Sequence, residues 1–250
     1  MLDQYDGGVK GYLHERSWVL NRRYFIAGVT AAFAVGIYSN LATAQKANSA
    51  SLQANANKVS PLSERVSRIL VLGDSLSAEY GLRRGSGWVA LLDKRLATDG
   101  TKAHVINASI SGDTTSGGRS RLSALIAQNK PTVVVIELGA NDALRGLPLS
   151  MTEDNLSKMI QLAQKSGAKV LVIGMQMPPN YGADYGNRFA ALFEKVARLN
   201  KAALVPFLLK GVADSADSAQ LFQNDGLHPR EQAHPTILAN VLPELRSLLN

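Results

Sequence analysis

The sequence predicts an α/β fold, a three-layer α/β/α sandwich around a five-stranded parallel sheet. Five short apolar runs, rich in branched residues, alternate with segments of helical spacing, and no internal repeat is present. Strands that are apolar throughout are typical of a parallel sheet that helices cover on both faces. Right-handed connections between such strands place the helices in two outer layers.

The elements can be assigned in order from residue 68. Because proline lacks an N–H and blocks a helix, Pro235 and Pro243 are expected to interrupt the last helix, and Gly167 is placed to end the third. The predicted strands are 68–73, 104–108, 132–138, 169–174 and 203–207. The predicted helices are 88–96, 119–127, 152–164, 187–199 and about 230–249.

The composition bounds the kind of protein. The 250 residues are enough for one sizeable domain and a leader. The chain has no cysteine, which excludes disulfides, thiolate metal sites, a cysteine nucleophile and a lipoprotein anchor. The net charge of +7 is spread along the chain without a dense Lys/Arg block. This predicts a basic surface with some attraction for anionic lipid or polymer, and no nucleic-acid partner.

Residues 1–44 have the features of a signal peptide. Arg22-Arg23 precedes an uncharged apolar run, 24–38, which is shorter than the roughly 20 residues of a membrane-spanning helix. The small-x-small pattern Ala42-Thr43-Ala44 predicts cleavage near Ala44. The arginine pair resembles a twin-arginine export signal, with Asn21 where Ser or Thr is usual; a general secretory signal and an uncleaved anchor are the alternatives.

The rest of the chain is a linker and one domain. Residues 45–60 are small and polar without apolar periodicity, which is typical of a linker. The folded domain is expected over residues 61–250, in the periplasm or outside the cell.

Polar, donor-rich turns follow the predicted strands. Ligands bind outside the carboxyl ends of parallel strands, so these turns are where a site is expected. Ser75 lies in the strand-to-helix turn after the first strand, where Gly73 lets the backbone turn tightly and a helix N-terminus would favour negative charge. A serine hydroxyl needs an adjacent base. His228 is the natural base, and Asp225, three residues earlier, can orient it and stabilise the imidazolium.

The tetrahedral intermediate of acyl transfer also needs hydrogen-bond donors for its oxyanion. The backbone N–H groups of Ser75 and Gly112 and the side-chain amide of Asn141 come from three neighbouring strand ends. Glycine at 112 lets the backbone approach a substrate closely, and Asn141 is a donor that does not compete as a base.

These blocks resemble the SGNH (GDSL) hydrolase family in kind, order and position. The resemblance covers about residues 68–234 and implies a flavodoxin-like topology. It makes Ser75 the nucleophile, Gly112 and Asn141 oxyanion donors, and Asp225 and His228 the other triad members. A narrower likeness to the bacterial thioesterase I, lysophospholipase and arylesterase branch is carried by Gly73-Asp74-Ser75-Leu76-Ser77-Ala78, Ser111-Gly112-Asp113-Thr114, Glu137-Leu138-Gly139-Ala140-Asn141-Asp142 and Leu144-Arg145-Gly146.

The narrower likeness implies hydrolysis of esters and thioesters of acyl chains, with a small-molecule or lipid substrate. It also implies no cofactor, no metal and no obligate protein partner. Pro178-Pro179-Asn180-Tyr181-Gly182 is similar to the substrate-side loop of that branch. Met175, Pro178 and Tyr181, all in the segment after the fourth strand, are the expected substrate-binding residues. Met175 could instead belong to the core, and Tyr181 could form a lid or simply pack within its loop. Ala140 departs from the glycine that is frequent there, which could shift the local backbone and the acyl groove.

Other interpretations stay open for single residues. Ser75 could cap a helix, Asn141 could cap a turn, and Asp225 and His228 could form an ordinary polar turn. His234 is a rival base, although no aspartate lies three residues before it. Carboxylates at strand ends can also hold Mg²⁺, and the candidates are Asp74, Asp113 and Asp142.

Two other functions remain as hypotheses. A carbohydrate O-acetyl esterase of the same family would use the same triad on a smaller acyl group. A non-catalytic flavodoxin-like binding module is the alternative from another class, because fold does not fix function. The sequence has neither G-x-G-x-x-G after the first strand nor a G-x-x-x-x-G-K-[ST] motif, which argues against nucleotide binding.

Overall fold

The fold is known from a computed structural model that describes residues 66–249. The predicted signal peptide at 1–44 and linker at 45–60 lie outside the described residues. Within residues 66–249, no helix is both long enough and apolar enough to cross a bilayer.

A single five-stranded sheet forms the centre, with all neighbouring strands parallel and in the order β2-β1-β3-β4-β5. This confirms the predicted α/β class and the parallel sheet. Every residue of β3 is buried, as its uninterrupted apolar sequence predicted. The strands are β1 (Ser67–Gly73), β2 (Ala103–Asn107), β3 (Val133–Glu137), β4 (Lys169–Ile173) and β5 (Ala203–Val205).

Helices cover both faces of the sheet. The α-helices are α1 (Trp88–Thr98), α2 (Thr115–Asn129), α3 (Ala140–Leu144), α4 (Leu149–Lys165), α5 (Ala183–Leu199), α6 (Ser218–Leu221) and α7 (His234–Leu249). Helices α1 and α7 pack together, and α4 packs on both α2 and α5. Two short 3₁₀ helices, Pro179–Tyr181 and Glu231–Ala233, precede α5 and α7.

The helix starts are where prediction and structure differ most. Helix α2 begins at Thr115, four residues before the predicted start, because the Thr114 side chain accepts from the Gly117 N–H and caps it. The sequence did not indicate this first turn because it contains two glycines, Gly117 and Gly118. Glycine is needed at 118 for packing, since a Cβ there would lie 2.3 Å from a methyl carbon of Leu138.

The proline predictions need correction as well. Pro235 does not interrupt the last helix; it is the second residue of α7, where proline is well tolerated because the first-turn N–H groups have no intrahelical acceptor. Pro243 lies inside α7, which continues through it to Leu249. Strand β5 ends at Val205, directly before Pro206, two residues short of the predicted end.

Candidate active site

The predicted site residues meet at the carboxyl edge of the sheet. Ser75 follows β1, Gly112 follows β2, Asn141 lies in α3 after β3, and Asp225 and His228 lie in one loop between β5 and α7. Strands β2 and β3 flank β1. The chain therefore reverses its direction of winding at β1, and the crevice at such a reversal is where α/β sheets bind ligands.

The turn that carries Ser75 differs from the expected one. Helix α1 begins only at Trp88, and turns occupy residues 75–82, so no helix N-terminus lies directly behind Ser75. Gly73 is required for space, not for an unusual φ. A Cβ there would lie 2.7 Å from the Ser77 hydroxyl oxygen and 2.8 Å from a Glu137 carboxyl oxygen.

Ser75, His228 and Asp225 form a continuous hydrogen-bonded chain. The Ser75 Oγ lies 2.9 Å from His228 Nε2, and His228 Nδ1 lies 2.7 Å from Asp225 Oδ2. An ionised carboxylate can only accept, so Nδ1 carries the imidazole proton. Nε2 then carries the free lone pair, and the Ser75 hydroxyl donates its hydrogen bond to that lone pair. This is the protonation state from which a histidine can remove a serine proton.

Asp225 stays ionised over the whole range in which a histidine titrates. Desolvation opposes its charge, but hydrogen bonds from the N–H groups of His228 and Leu227 and from the His228 ring outweigh it, and they lower the pKa of Asp225 to about 2. Oδ1 accepts from the Leu227 N–H at 2.9 Å and from the His228 N–H at 3.0 Å. These bonds fix the carboxylate on the same loop as the imidazole it faces.

The backbone donors expected of an oxyanion hole are available. Neither the Ser75 N–H nor the Gly112 N–H donates to a protein acceptor in the described part of the chain. Gly112 has a φ of +78°, which favours glycine. Its carbonyl accepts from the Arg145 guanidinium at 2.7 Å, which fixes the orientation of this segment.

The side-chain donor, Asn141, is held by two acceptors. Its Nδ2 donates to Asp74 Oδ2 at 3.1 Å and to the Asp113 carbonyl at 3.0 Å. An oxyanion would compete with these acceptors for the amide protons. Ala140, the residue that departs from the family pattern, is the first residue of α3 and does not have a positive φ, so alanine fits there without strain.

A pair of buried carboxyls lies directly behind the nucleophile. Asp74 and Glu137 are 1% and 2% exposed. Glu137 Oε2 accepts from the Ser77 hydroxyl at 2.7 Å, and that hydroxyl accepts from the Trp88 indole N–H at 3.2 Å. Burial raises the pKa of Asp74 to about 6, and burial together with the neighbouring Asp74 raises the pKa of Glu137 well above its usual range. Glu137 was not among the predicted site residues, although it begins the motif Glu137-Leu138-Gly139-Ala140-Asn141-Asp142 and is the one charged residue of an apolar strand.

This pair predicts a specific pH dependence of stability for Glu137→Gln. Both carboxyls bind protons more tightly in the folded chain than in the unfolded chain. The parent therefore loses stability as pH rises from the ordinary carboxyl range through the pKa of Asp74, about 6. A neutral amide removes one titrating group and the repulsion it exerts on the other. The stability of Glu137→Gln relative to the parent should rise by roughly 1–3 kcal/mol between pH 5 and pH 8.

Urea unfolding of both proteins at the two pH values, followed by tryptophan fluorescence, measures this difference. Glu244→Gln, at an exposed position on α7, is the matched control and should show no such trend. A difference between Glu137→Gln and the parent that is constant from pH 5 to pH 8 would contradict the prediction.

The other strand-end aspartates are engaged in hydrogen bonds. Asp113 Oδ2 pairs with the Arg121 guanidinium at 2.7 Å and 2.9 Å. The Asp142 carboxylate is fully buried and accepts from both the N–H and the hydroxyl of Thr115. These contacts brace the turns after β2 and β3. No group of three potential metal-binding side chains occurs within residues 66–249.

The rival base His234 is separated from this chain of hydrogen bonds. It is 1% exposed, and its Nδ1 accepts from the Trp88 N–H at 3.0 Å. Burial lowers the pKa of His234, which favours the neutral form that this bond requires. His234 therefore joins the start of α7 to the start of α1, and it makes no hydrogen bond to Ser75 in the described structure.

A cleft of about 810 Å³ opens beside Ser75 and His228. Of the expected substrate-binding residues, Met175 and Pro178 line it, and Tyr181 does not. Tyr181 ends the 3₁₀ turn Pro179–Tyr181, and its side chain is 38% exposed. The apolar side chains that line the cleft include Leu76, Leu144, Met177, Phe207, Leu209, Phe222 and Leu227.

Comparison with known proteins identifies relatives along most of the domain. The GDSL-like lipase/acylhydrolase family matches residues 71–235. Esterase TesA of Pseudomonas aeruginosa is 51% identical over 72% of this chain and 89% of its own length. An arylesterase of Vibrio mimicus is 43% identical over 75% of this chain and 92% of its own. Thioesterase 1/protease 1/lysophospholipase L1 of Escherichia coli K12 is 38% identical over 73% of this chain and 85% of its own length.

Solved structures agree with this assignment. The crystal structure of TesA superposes with a TM-score of 0.70 at 51% identity, covering 72% of this chain and 99% of the other. The psychrotrophic esterase EstA from Pseudoalteromonas sp. superposes with a TM-score of 0.68 at 40% identity, covering 73% of this chain and 98% of the other. These matches confirm the family and the topology that the sequence motifs predicted. The chain belongs to the GDSL-like lipase/acylhydrolase family, the SGNH serine hydrolases that act on ester bonds.

Proposed function

We propose that this protein hydrolyses carboxylic esters and thioesters of medium-length acyl chains through an acyl-enzyme on Ser75. The observation that carries the proposal is the Ser75–His228–Asp225 hydrogen-bonded chain beside an apolar cleft. A nucleophile, a base and an orienting acid in this geometry are the components of a serine hydrolase. The relatives named esterase, arylesterase and thioesterase support the same reaction class.

The first half of the reaction forms the acyl-enzyme. His228 Nε2 takes the proton of the Ser75 hydroxyl while the oxygen attacks the carbonyl carbon of the substrate. The resulting oxyanion accepts hydrogen bonds from the Ser75 N–H, the Gly112 N–H and the Asn141 amide. When the tetrahedral intermediate collapses, the bond to the alcohol or thiol breaks, and the imidazolium returns its proton to that leaving group.

The second half hydrolyses the acyl-enzyme. His228 removes a proton from water, and the hydroxide attacks the acyl carbon. The same donors stabilise the second oxyanion, and Ser75 leaves with the proton from the imidazolium. Asp225 remains ionised throughout, because the hydrogen bonds to its carboxylate lower its pKa to about 2.

The apolar lining of the cleft supports an acyl chain longer than acetate. Each methylene that leaves water for an apolar surface contributes about 0.8 kcal/mol. Met175 and Pro178 lie on the wall formed after β4, and Leu209 and Phe222 come from the segment after β5. A lysophospholipid or another single-chain lipid is included in the proposed substrate class.

The test is hydrolysis of p-nitrophenyl esters from acetate to palmitate by the purified protein, with an acyl-thioester series beside it. We expect kcat/KM to peak at medium chain lengths. A sharp preference for acetate would contradict the acyl-chain proposal and favour a carbohydrate O-acetyl esterase. A folded protein without activity at any chain length would favour the binding-module hypothesis.

A matched pair of variants tests where the chain lies. Met177 lines the cleft and is half-buried, whereas Tyr181 in the next turn lies outside the lining. Met177→Ala should lower kcat/KM for an octanoyl ester by about 3- to 10-fold relative to acetyl, the effect of one to two lost methylene contacts. Tyr181→Ala should leave that ratio within a factor of two. An equal effect of both substitutions would place the acyl chain elsewhere.

We also propose that the protein acts after export, in the periplasm or outside the cell. Support comes from the sequence of residues 1–44, where a paired arginine, a short apolar run and Ala42-Thr43-Ala44 follow in the order of a cleavable signal.

A further inference from the structure

An aromatic ring lies against the imidazole of His228. The ring centroids of Tyr80 and His228 are 4.4 Å apart, and the ring planes are tilted by 40°. This separation is shorter than a typical edge-to-face contact, so the ring faces take part in it. The hydrogen bonds to Asp225 and Ser75 hold the edge of the imidazole at its two nitrogens. Those bonds lie in the ring plane and leave the faces of the imidazole unrestrained.

The backbone around Tyr80 is tied to both parts of the catalytic chain. The Tyr80 N–H donates to the Ser75 carbonyl at 3.3 Å, and the Tyr80 carbonyl accepts from the Gln223 side-chain amide at 2.9 Å. Gln223 also donates its backbone N–H to the His228 carbonyl at 2.7 Å. Gln223 therefore connects the Ser75 turn, through its side chain, to His228, through its backbone, beside Tyr80.

The residue before Tyr80 has an unusual backbone conformation. Glu79 has a φ of +61°, a left-handed value that costs a non-glycine residue on the order of 1 kcal/mol. The Glu79 carboxylate accepts from the N–H of Gly85 at 3.0 Å and from the N–H of Gly87 at 2.8 Å, which holds that conformation. The chain direction set at Glu79 brings the next side chain against His228.

Core packing does not explain the position of Tyr80. Its side chain is 50% exposed, and it is among the most exposed large hydrophobic side chains of the described residues. A half-exposed aromatic ring held against the catalytic imidazole is better explained by what the imidazole does. In the proposed reaction the His228 imidazole gains a positive charge, and the face of a tyrosine ring attracts a cation.

We propose that Tyr80 is a positioning residue for the reaction: its ring restrains the His228 imidazole from one face and stabilises the imidazolium as it forms. The inference rests on the proposed function of Ser75 and His228. The interaction strengthens when His228 becomes charged, so it acts on the chemical steps and not on substrate binding.

The test compares Tyr80→Leu with Tyr80→Phe on one p-nitrophenyl ester. Tyr80→Leu should lower kcat by about 3- to 10-fold with KM unchanged within a factor of two, because a cation–π contact and a ring restraint are lost. Tyr80→Phe keeps an aromatic face and should retain kcat within a factor of two. Leu199→Ala, at an exposed site at the end of α5, is the control and should match the parent.

A double-mutant cycle separates this role from a general structural one. In a His228→Gln background the residual activity should be the same with and without the Tyr80→Leu substitution, since no imidazolium remains to be stabilised. Equal losses in Tyr80→Phe and Tyr80→Leu, an effect confined to KM, or a full loss retained in the His228→Gln background would overturn the proposal. Normal activity in Tyr80→Leu, with Ser75→Ala inactive, would overturn it and leave the proposed function intact.

Discussion

Replacing Ser75 with alanine is expected to lower kcat for ester hydrolysis by about 10⁴–10⁶-fold, the loss typical of a triad nucleophile. The hydroxyl is the group that becomes acylated in the proposed reaction, and alanine removes it. Ser75 is partly exposed, and its hydroxyl lies 2.9 Å from His228 Nε2, so alanine should change the fold little. Steady-state hydrolysis of a p-nitrophenyl ester measures the loss, and thermal unfolding verifies that the variant is folded.

A double variant of Ser75 and His228 tests the same assignment. Because Ser75 and His228 act as a unit, Ser75→Ala combined with His228→Gln should be no slower than the slower of the two single variants. Losses that multiply would show that the two residues act independently. Retention of most of the activity in folded Ser75→Ala would end the assignment of the nucleophile.

Replacing Asn141 with alanine should lower kcat by about 10²–10³-fold with a much smaller effect on KM, because an oxyanion donor acts mainly in the transition state. The amide also donates to Asp74 and to the Asp113 carbonyl, so the stability of the variant must be measured with its kinetics. Asn129→Ala is the matched control. Its amide donates to the Leu125 carbonyl at the end of α2, and its loss should leave kcat unchanged.

A loss in Asn141→Ala that appears wholly in KM would assign the amide to substrate binding. Kinetics unchanged from the parent would show that the two backbone donors, from Ser75 and Gly112, stabilise the oxyanion without it.

The central sheet could be predicted because its signal is the simplest one a sequence carries. Buried parallel strands such as β3 are apolar at nearly every position, and helices of 11 residues or more show their spacing over several turns. Helix α3 was missed because its five residues are too few to show a period. The first turn of α5, from Ala183, was missed because the glycines at 182 and 186 interrupt the helical pattern there.

That the candidate residues lie together was predictable, and their individual contacts were less so. Ser75, Asp225 and His228 were expected at one edge because strand ends converge on one edge of a parallel sheet. The direction of a side chain depends on local backbone that no pattern reports. The 3₁₀ turn before α5 leaves Tyr181 outside the cleft, and the left-handed Glu79 brings Tyr80 to His228.

Placing Asp225 and His228 three residues apart on one loop has a consequence for how the protein fails. The carboxylate–imidazole geometry is local to that loop, whereas the contact with Ser75 spans 153 positions of sequence. Opening of the loop alone would therefore separate base from nucleophile while the sheet stays folded. In mild denaturant, we therefore expect turnover to be lost before the global structure, at the free energy of this local opening.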